Sequence, residues 1–350
     1  MKITHIEAVS DFDDGIAYHG DAALVKVRTD SGITGCAYNR TNPGPFLAAA
    51  QEALIGKDPH AIEEHIQNGL LHWACIEHAL WDIIGKEAGL PVHKFLGGFR
   101  ERLPVYITCL WPGGDDQSQV PAKAAAQQAV AYMEQGFKGM KIRSWRPDPM
   151  EDVAVVRAMK KAVGSRMEIM VDRTGSAPGW VWDFGTAYRV ARGLEEAGCT
   201  WLEEPFQGGE VHESARLNAV VDIPITGGEG DYKLEVFREY LKYGSFEIVQ
   251  PDAFVAGGIL NIKKIAAMAE AHGKQCIMHG CNGLGLASGL QVSAALPNCD
   301  RMEICVVVPP HTPQEQWEPM NQLIANPPLF TIRDGYIDIP QSPGLGFELL

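Results

Sequence analysis

The chain has 350 residues, 46% of them apolar and 21% charged, with a formal net charge of −14. That composition is typical of a soluble globular protein, and the length is too great for one ordinary core but right for a barrel plus a small domain. The acidic balance argues against nucleic acid and anionic membrane as partners, and no stretch is apolar enough to span a bilayer.

The opening "MKITHIEAVSDFDD" has no long apolar run and no small-residue cleavage site. The eight cysteines form no C-x-x-C pair and several lie in apolar runs. Both features predict a cytoplasmic protein with reduced core thiols. Residues 2–9 and 22–29 read as strands, and "DSGITG" makes a turn into "CAYN". Segments 42–56 and 58–70 read as helices with proline near their starts. Over 73–87, Trp73, Ile76, Leu80 and Ile83 form one helical stripe. Residues 1–103 are therefore predicted to form a small α+β domain.

From residue 104 to about 320 the rhythm changes. Short apolar runs ("VYITC", "KGMKI", "MEIMV", "CTWLE", "IPIT", "FEIVQ", "QCIM", "RMEIC") alternate with helical segments such as 148–163, 184–197, 233–242 and 259–272. Eight such units predict parallel βαβ connections closing into a (β/α)8 barrel, with the chemistry at the carboxyl ends of the strands. A doubly wound open sheet is the alternative. In the tail, 321–350, "LFTIRDGYIDIP" reads as a β-hairpin returning to the first domain.

The strand ends carry the charges. Lys141 and Arg143 are spaced two apart and so share a face, which calls for an anion opposite them. Asp172, Glu203 and Glu229 end successive strands and suit a hard divalent cation. Singly, each also reads as a helix cap or a solvated loop charge. Of Glu203 and its neighbour Glu204, only one can point into a barrel. Asp252 and His279 end neighbouring strands, where the carboxylate can orient the imidazole as a general base. The eighth run, "DRMEIC", carries Glu303, either as a hydrogen-bond donor when protonated or as a structural partner of Arg301 or a lysine. "GLGLASG" (283–289) lacks the third glycine of a dinucleotide loop, so its glycines either admit substrate or shape the turn into a helix.

Taken together, "GFKGMKIR", "MVDRTG", "WLEEPF", "TGGEGDY", "QPDAFVAGGI", "MHG" and "MEIC", in this order and spacing, resemble the enolase superfamily and within it the mandelate racemase subgroup. The resemblance spans nearly the whole chain. It implies a capping domain completed by the C-terminal return, with Asp172, Glu203 and Glu229 as Mg²⁺ ligands and Glu204 beside them. It implies an Asp252–His279 acid/base dyad, with Glu303 and Lys141 contacting a substrate carboxylate. It also implies abstraction of a proton alpha to that carboxylate, and assembly as a homo-oligomer. From the cap, Tyr18, His19 and Arg40 become candidates for choosing a small-molecule substrate.

Two positions depart from the subgroup. Arg143 stands where the second lysine serves as a base, and arginine stays protonated, with a pKa of roughly 12.5 or above. Arg173 and Thr174 stand where a small residue and asparagine are usual, which brings another cation that could bind a hydroxyl or a second carboxylate. One-base chemistry through His279 follows. The expectation is dehydration of a sugar acid to a 2-keto-3-deoxy acid, with racemisation, epimerisation or cycloisomerisation as the alternative.

Overall fold

The computed structural model describes residues 1–10, 22–109, 120–175, 181–281, 283–306 and 312–350. The first domain is an antiparallel sheet of β1 (Ile3–Val9), β2 (Ala23–Thr29) and β3 (Thr34–Asn39). Four helices follow it: α1 (Gly44–Leu54), α2 (Ile62–Gln67), α3 (Ala74–Ala88) and α4 (Val92–Phe95). Ile76, Leu80 and Ile83 of the expected stripe are fully buried, and α3 packs on β2 and β3.

The expected barrel is present. Its strands are β4 (Arg102–Cys109), β5 (Gly139–Arg143), β6 (Glu168–Asp172), β7 (Leu202–Glu203), β8 (Ile225–Gly227), β9 (Ile248–Val249), β10 (Gln275–Cys276) and β11 (Met302–Val306). Neighbours pair in parallel from β4 to β10, and β11 pairs with β4. Between the last two strands, Cys276 N donates to the Asn298 carbonyl at 3.0 Å. The outer helices are α5 (Ala122–Glu134), α6 (Pro149–Val163), α7 (Phe184–Glu196), α8 (Val211–Asn218), α9 (Leu234–Tyr243), α10 (Ile259–Ala271), α11 (Gly285–Ser293) and α12 (Pro313–Asn321). Side-chain caps from Asp148, Asp183 and Thr312 start α6, α7 and α12. Among the described residues no helix is long and apolar enough to cross a membrane. No disulfide links any of the eight cysteines.

The tail differs from its expected course. Its hairpin, β12 (Ile332–Arg333) and β13 (Tyr336–Asp338), does not return to the first sheet but pairs antiparallel with the start of β4, Ile337 facing Leu103. That end of β4 has its hydrogen-bonding edge open before the barrel ladder with β5 begins at Tyr106, and an apolar strand satisfies it. Further along, the tail reaches the first domain over 344–348, with Glu348 Oε2 3.2 Å from Lys86 Nζ of α3. Leu345 N donates to Asp82 Oδ1 at 2.7 Å, while Asp82 Oδ2 accepts from Cys36 N at 2.8 Å. Gly344 takes φ +74° there, and a Cβ on it would lie 2.0 Å from that carboxylate.

A second buried acid of α3 ties the two domains directly. Glu77 accepts from Ile259 N at 2.9 Å and Leu260 N at 3.0 Å, capping α10 from another element. Burial pushes its carboxyl up to about 7. Helix α3 therefore fixes the first domain over the barrel, and with it the loop after β3.

Candidate active site

Strand alternation explains most of what meets at the barrel mouth. Lys141 and Arg143 face inward from β5, as their spacing predicts. The anions opposite them are the chain's own carboxylates. Lys141 Nζ lies 2.7 Å from Glu203 Oε1, 2.8 Å from Glu303 Oε1 and 3.7 Å from Asp172 Oδ2, fully buried. Burial disfavours its charge, but Glu203, Glu303 and Asp172 overcome this and hold the ammonium well above the usual lysine range. Arg143 Nη1 donates to Asp172 Oδ2 at 2.9 Å and to Thr174 Oγ1 at 2.5 Å. Thr174 in turn donates its backbone N–H to Asp172 Oδ1 at 2.6 Å. The unusual Arg143 and Thr174 thus both act on one carboxylate.

Asp172, Glu203 and Glu229 converge, each offering an oxygen within 4.8 Å of the others. Asp172 is held below its ordinary pKa, because Arg143 and Lys141 outweigh its burial. Glu203 is pushed up to about 7, by burial and by the neighbouring acids Asp172, Glu303 and Glu229, against the pull of Lys141. Two further donors grip Glu203 Oε2: Gln250 Nε2 at 3.1 Å and Trp201 Nε1 at 3.2 Å. Neither was singled out from the sequence, although each sits two residues before a strand-end acid and so shares its face.

Glu204 breaks the alternation. Its φ of +45° turns it out of the strand's pleat. It is buried, and that burial, with Glu229, Asp172 and Glu203 nearby, drives its carboxyl well above the usual range. Among the described residues, Glu204 Oε2 has no hydrogen-bond donor, and Glu229 Oε2 makes no hydrogen bond, with His279 Nε2 3.2 Å away. Crowded buried carboxylates with oxygens left unpaired are what a divalent cation would satisfy, and the all-oxygen donor set suits a hard one.

Just past the ends of β9 and β10, His279 Nδ1 donates to Asp252 Oδ2 at 2.9 Å, and His279 Nε2 lies 3.2 Å from Glu229 Oε2. Burial would lower the histidine, but Glu229, the Asp252 hydrogen bond and Glu303 lift it to about 10. Asp252 stays below the ordinary carboxylate range despite burial, pulled down by Arg40 and then by His279. Glu303 acts as an acceptor in this structure. Burial pushes it up, but Lys141 and His279 bring it down to about 2, and it accepts from Lys141, Thr108 Oγ1 and Gly280 N. Its partner is Lys141; Arg301 pairs instead with Glu168 and Asp300.

Comparison with known proteins decides the family. An enolase C-terminal domain-like sequence profile matches residues 124–350, and the mandelate racemase/muconate lactonizing enzyme N-terminal domain matches 17–97. The chain belongs to the mandelate racemase/muconate lactonizing enzyme family. It is 31% identical over 350 residues to an L-talarate/galactarate dehydratase of Salmonella typhimurium, covering 93% of this chain and 80% of that one. It is 31% identical over 275 residues to an arabinonate dehydratase of Saccharolobus solfataricus, covering 78% and 68%. Among solved structures, a racemase from Streptomyces coelicolor with bound magnesium superposes with TM-score 0.80 at 25% identity, covering 99% of this chain and 97% of that one.

Within this mandelate racemase/muconate lactonizing enzyme fold, some expected site residues lie elsewhere. Arg173 is not brought to the carboxylate cluster. As the neighbour of Asp172 it points to the opposite face of β6, donating Nη1 to the Ser144 carbonyl at 2.8 Å and lying 4.9 Å from the Trp182 ring centre. There it lines a separate cavity of about 410 Å³ with Arg146 and Arg189. Tyr18 and His19 lie outside the described residues. Arg40 does reach the mouth, but its partner is Asp252, with Nη1 3.2 Å from Oδ2. Of the glycines in "GLGLASG", Gly283 and Gly285 lie against the chain's own aromatic rings, and Gly289 lies against Met302. A Cβ on Gly285 would lie 2.7 Å from Phe254, and one on Gly283 would lie 3.1 Å from Tyr38.

Proposed function

We propose that this chain is a Mg²⁺-dependent dehydratase of a sugar acid, a hydro-lyase that yields a 2-keto-3-deoxy acid. One observation carries the reading: the dyad histidine presents Nε2 to the acidic cluster, while the residue in the second base position, Arg143, is a cation tied to Asp172. Burial opposes the Arg143 charge, but Asp172 and Glu229 raise its pKa beyond the ordinary arginine value. It cannot accept a proton, so one base serves both steps. The dehydratase names of the two relatives above support the same class. Asp172, Glu203 and Glu229 would hold the ion, with Glu204 beside them. A divalent cation held there supplies Lewis-acid stabilisation of the charge that gathers on the substrate carboxylate as its α-proton leaves.

The chain's own groups do the rest. Asp252 fixes the His279 tautomer with Nδ1–H toward itself; a cation held on Glu229 would offset the carboxylate charge that raises the imidazole, leaving Nε2 to take the α-proton. The C–H electron pair moves into the Cα–carboxylate bond. The resulting enediolate reforms its carboxylate as the β-hydroxyl leaves, receiving the proton from His279 Nε2 and departing as water. The enol so formed ketonises. Lys141 donates two of its three N–H groups to Glu203 and Glu303, leaving one for the substrate carboxylate. A racemase or cycloisomerase would need a second acid/base, and Arg143 does not provide one.

The test is a panel of mono- and diacid sugars incubated with the protein and Mg²⁺, read by detection of 2-keto acid. The expected result is keto product from at least one acid, lost on chelation and restored by Mg²⁺. Turnover undiminished by chelator contradicts the metal assignment.

A further inference from the structure

The Arg40 guanidinium joins the acid/base pair to the first domain. Arg40 follows β3 directly, and its Nη1 lies 3.2 Å from Asp252 Oδ2, the oxygen that also accepts from His279 Nδ1. The other oxygen, Oδ1, is already taken by the backbone N–H groups of Phe254 at 2.7 Å and Val255 at 3.3 Å. Arg40 is held a second way, with its guanidinium carbon 5.4 Å from the Phe254 ring centre. The seat beneath it is built by both domains. Tyr38, on the same face of the β3 segment, meets Phe254 edge-on at 6.4 Å between ring centres, and His78 of α3 meets it at 5.1 Å. Gly283 and Gly285 leave the space that these rings occupy.

We propose that Arg40 is a positioning residue for the reaction: docked from the first domain, it locks Asp252 and through it the ring of His279. The geometry separates this role from substrate binding. The guanidinium addresses the carboxylate oxygen that orients the imidazole, not the Nε2 edge that faces Glu229 and the cluster. A carboxylate pinned at one oxygen by two amides still has its second oxygen to place, and a charge-assisted contact from a different domain fixes it. Seating of the first domain thereby becomes a condition of base competence, linking the loop after β3 to the rate of proton abstraction. The proposal rests on the reading of His279 as the base.

Arg40→Met and Arg40→Lys, made in the full chain and loaded with Mg²⁺, test it. Arg40→Met is expected to lower kcat ~10–100-fold, as loss of a supporting partner does, with KM nearly unchanged. Arg40→Lys is expected to recover most of that loss. Mg²⁺ affinity should be unchanged in both, since Arg40 touches none of the three clustered acids. The imidazole Nδ1–H proton resonance of His279, assigned by its absence in His279→Asn, should shift or broaden in Arg40→Met without substrate present. A rise in KM with kcat retained would overturn the proposal and make Arg40 a substrate contact. So would an unmoved resonance in Arg40→Met. If wild-type protein yields no 2-keto product from any acid, the dehydratase reading fails by itself, and the resonance still decides the role of Arg40.

Discussion

His279→Asn is expected to lose turnover by about 10³–10⁴-fold or more while still binding Mg²⁺. General acid–base catalysis by one positioned group contributes about 10²–10⁴-fold, and here the same imidazole serves as base and then as acid. Asparagine keeps a polar group of similar reach but cannot take up a proton. The variant separates chemistry from metal binding, because the clustered acids are Asp172, Glu203 and Glu229 and His279 contacts only the last, at 3.2 Å. The paired measurements are keto-acid formation and a Mg²⁺ binding isotherm. Full activity in the variant would remove His279 from the mechanism. Loss of Mg²⁺ binding would make it part of the ion's site.

The second large effect is on stability. Lys141→Met should destabilise the metal-free protein by about 3–5 kcal/mol, the usual consequence of removing one partner from a buried ion pair. Lys141 is fully buried and lies within 4 Å of three carboxylates, so methionine fills the volume but leaves Glu203, Glu303 and Asp172 facing one another without it. Saturating Mg²⁺ should restore more stability to the variant than to the wild type, because the ion then has more repulsion to relieve. Urea midpoints with and without Mg²⁺ read both effects. An unchanged midpoint in the metal-free variant would mean that the cluster is not held together by this ammonium.

The barrel was legible because short apolar runs alternate with helical segments, and β5, β6 and β7 stop on Arg143, Asp172 and Glu203. Even β7, only Leu202–Glu203, announced itself through the acids that end it. The same alternation placed Lys141 with Arg143, and applied one step further it predicts that Arg173 leaves the mouth when Asp172 enters it. Other features had no local signal. The positive φ of Glu204 overrides alternation, and nothing in "WLEEPF" prescribes it. Arg40 and Asp252 lie more than two hundred residues apart, and their contact depends on how α3 seats one domain on the other. The tail hairpin went to β4 because an open strand edge lay there, a fact of tertiary structure. Trp201 and Gln250 fall between these cases. Their two-residue spacing from Glu203 and Asp252 was readable, but that the side chains would meet at one carboxylate was not.

The most direct test of one-base dehydration is product analysis in D₂O with an accepted sugar acid. The account predicts a 2-keto-3-deoxy acid that carries one solvent deuterium at C3, delivered as the enol ketonises, with Mg²⁺ required. Recovery of substrate deuterated at the α-carbon and inverted there, with no keto acid formed, would contradict it and show that a second acid/base works opposite His279.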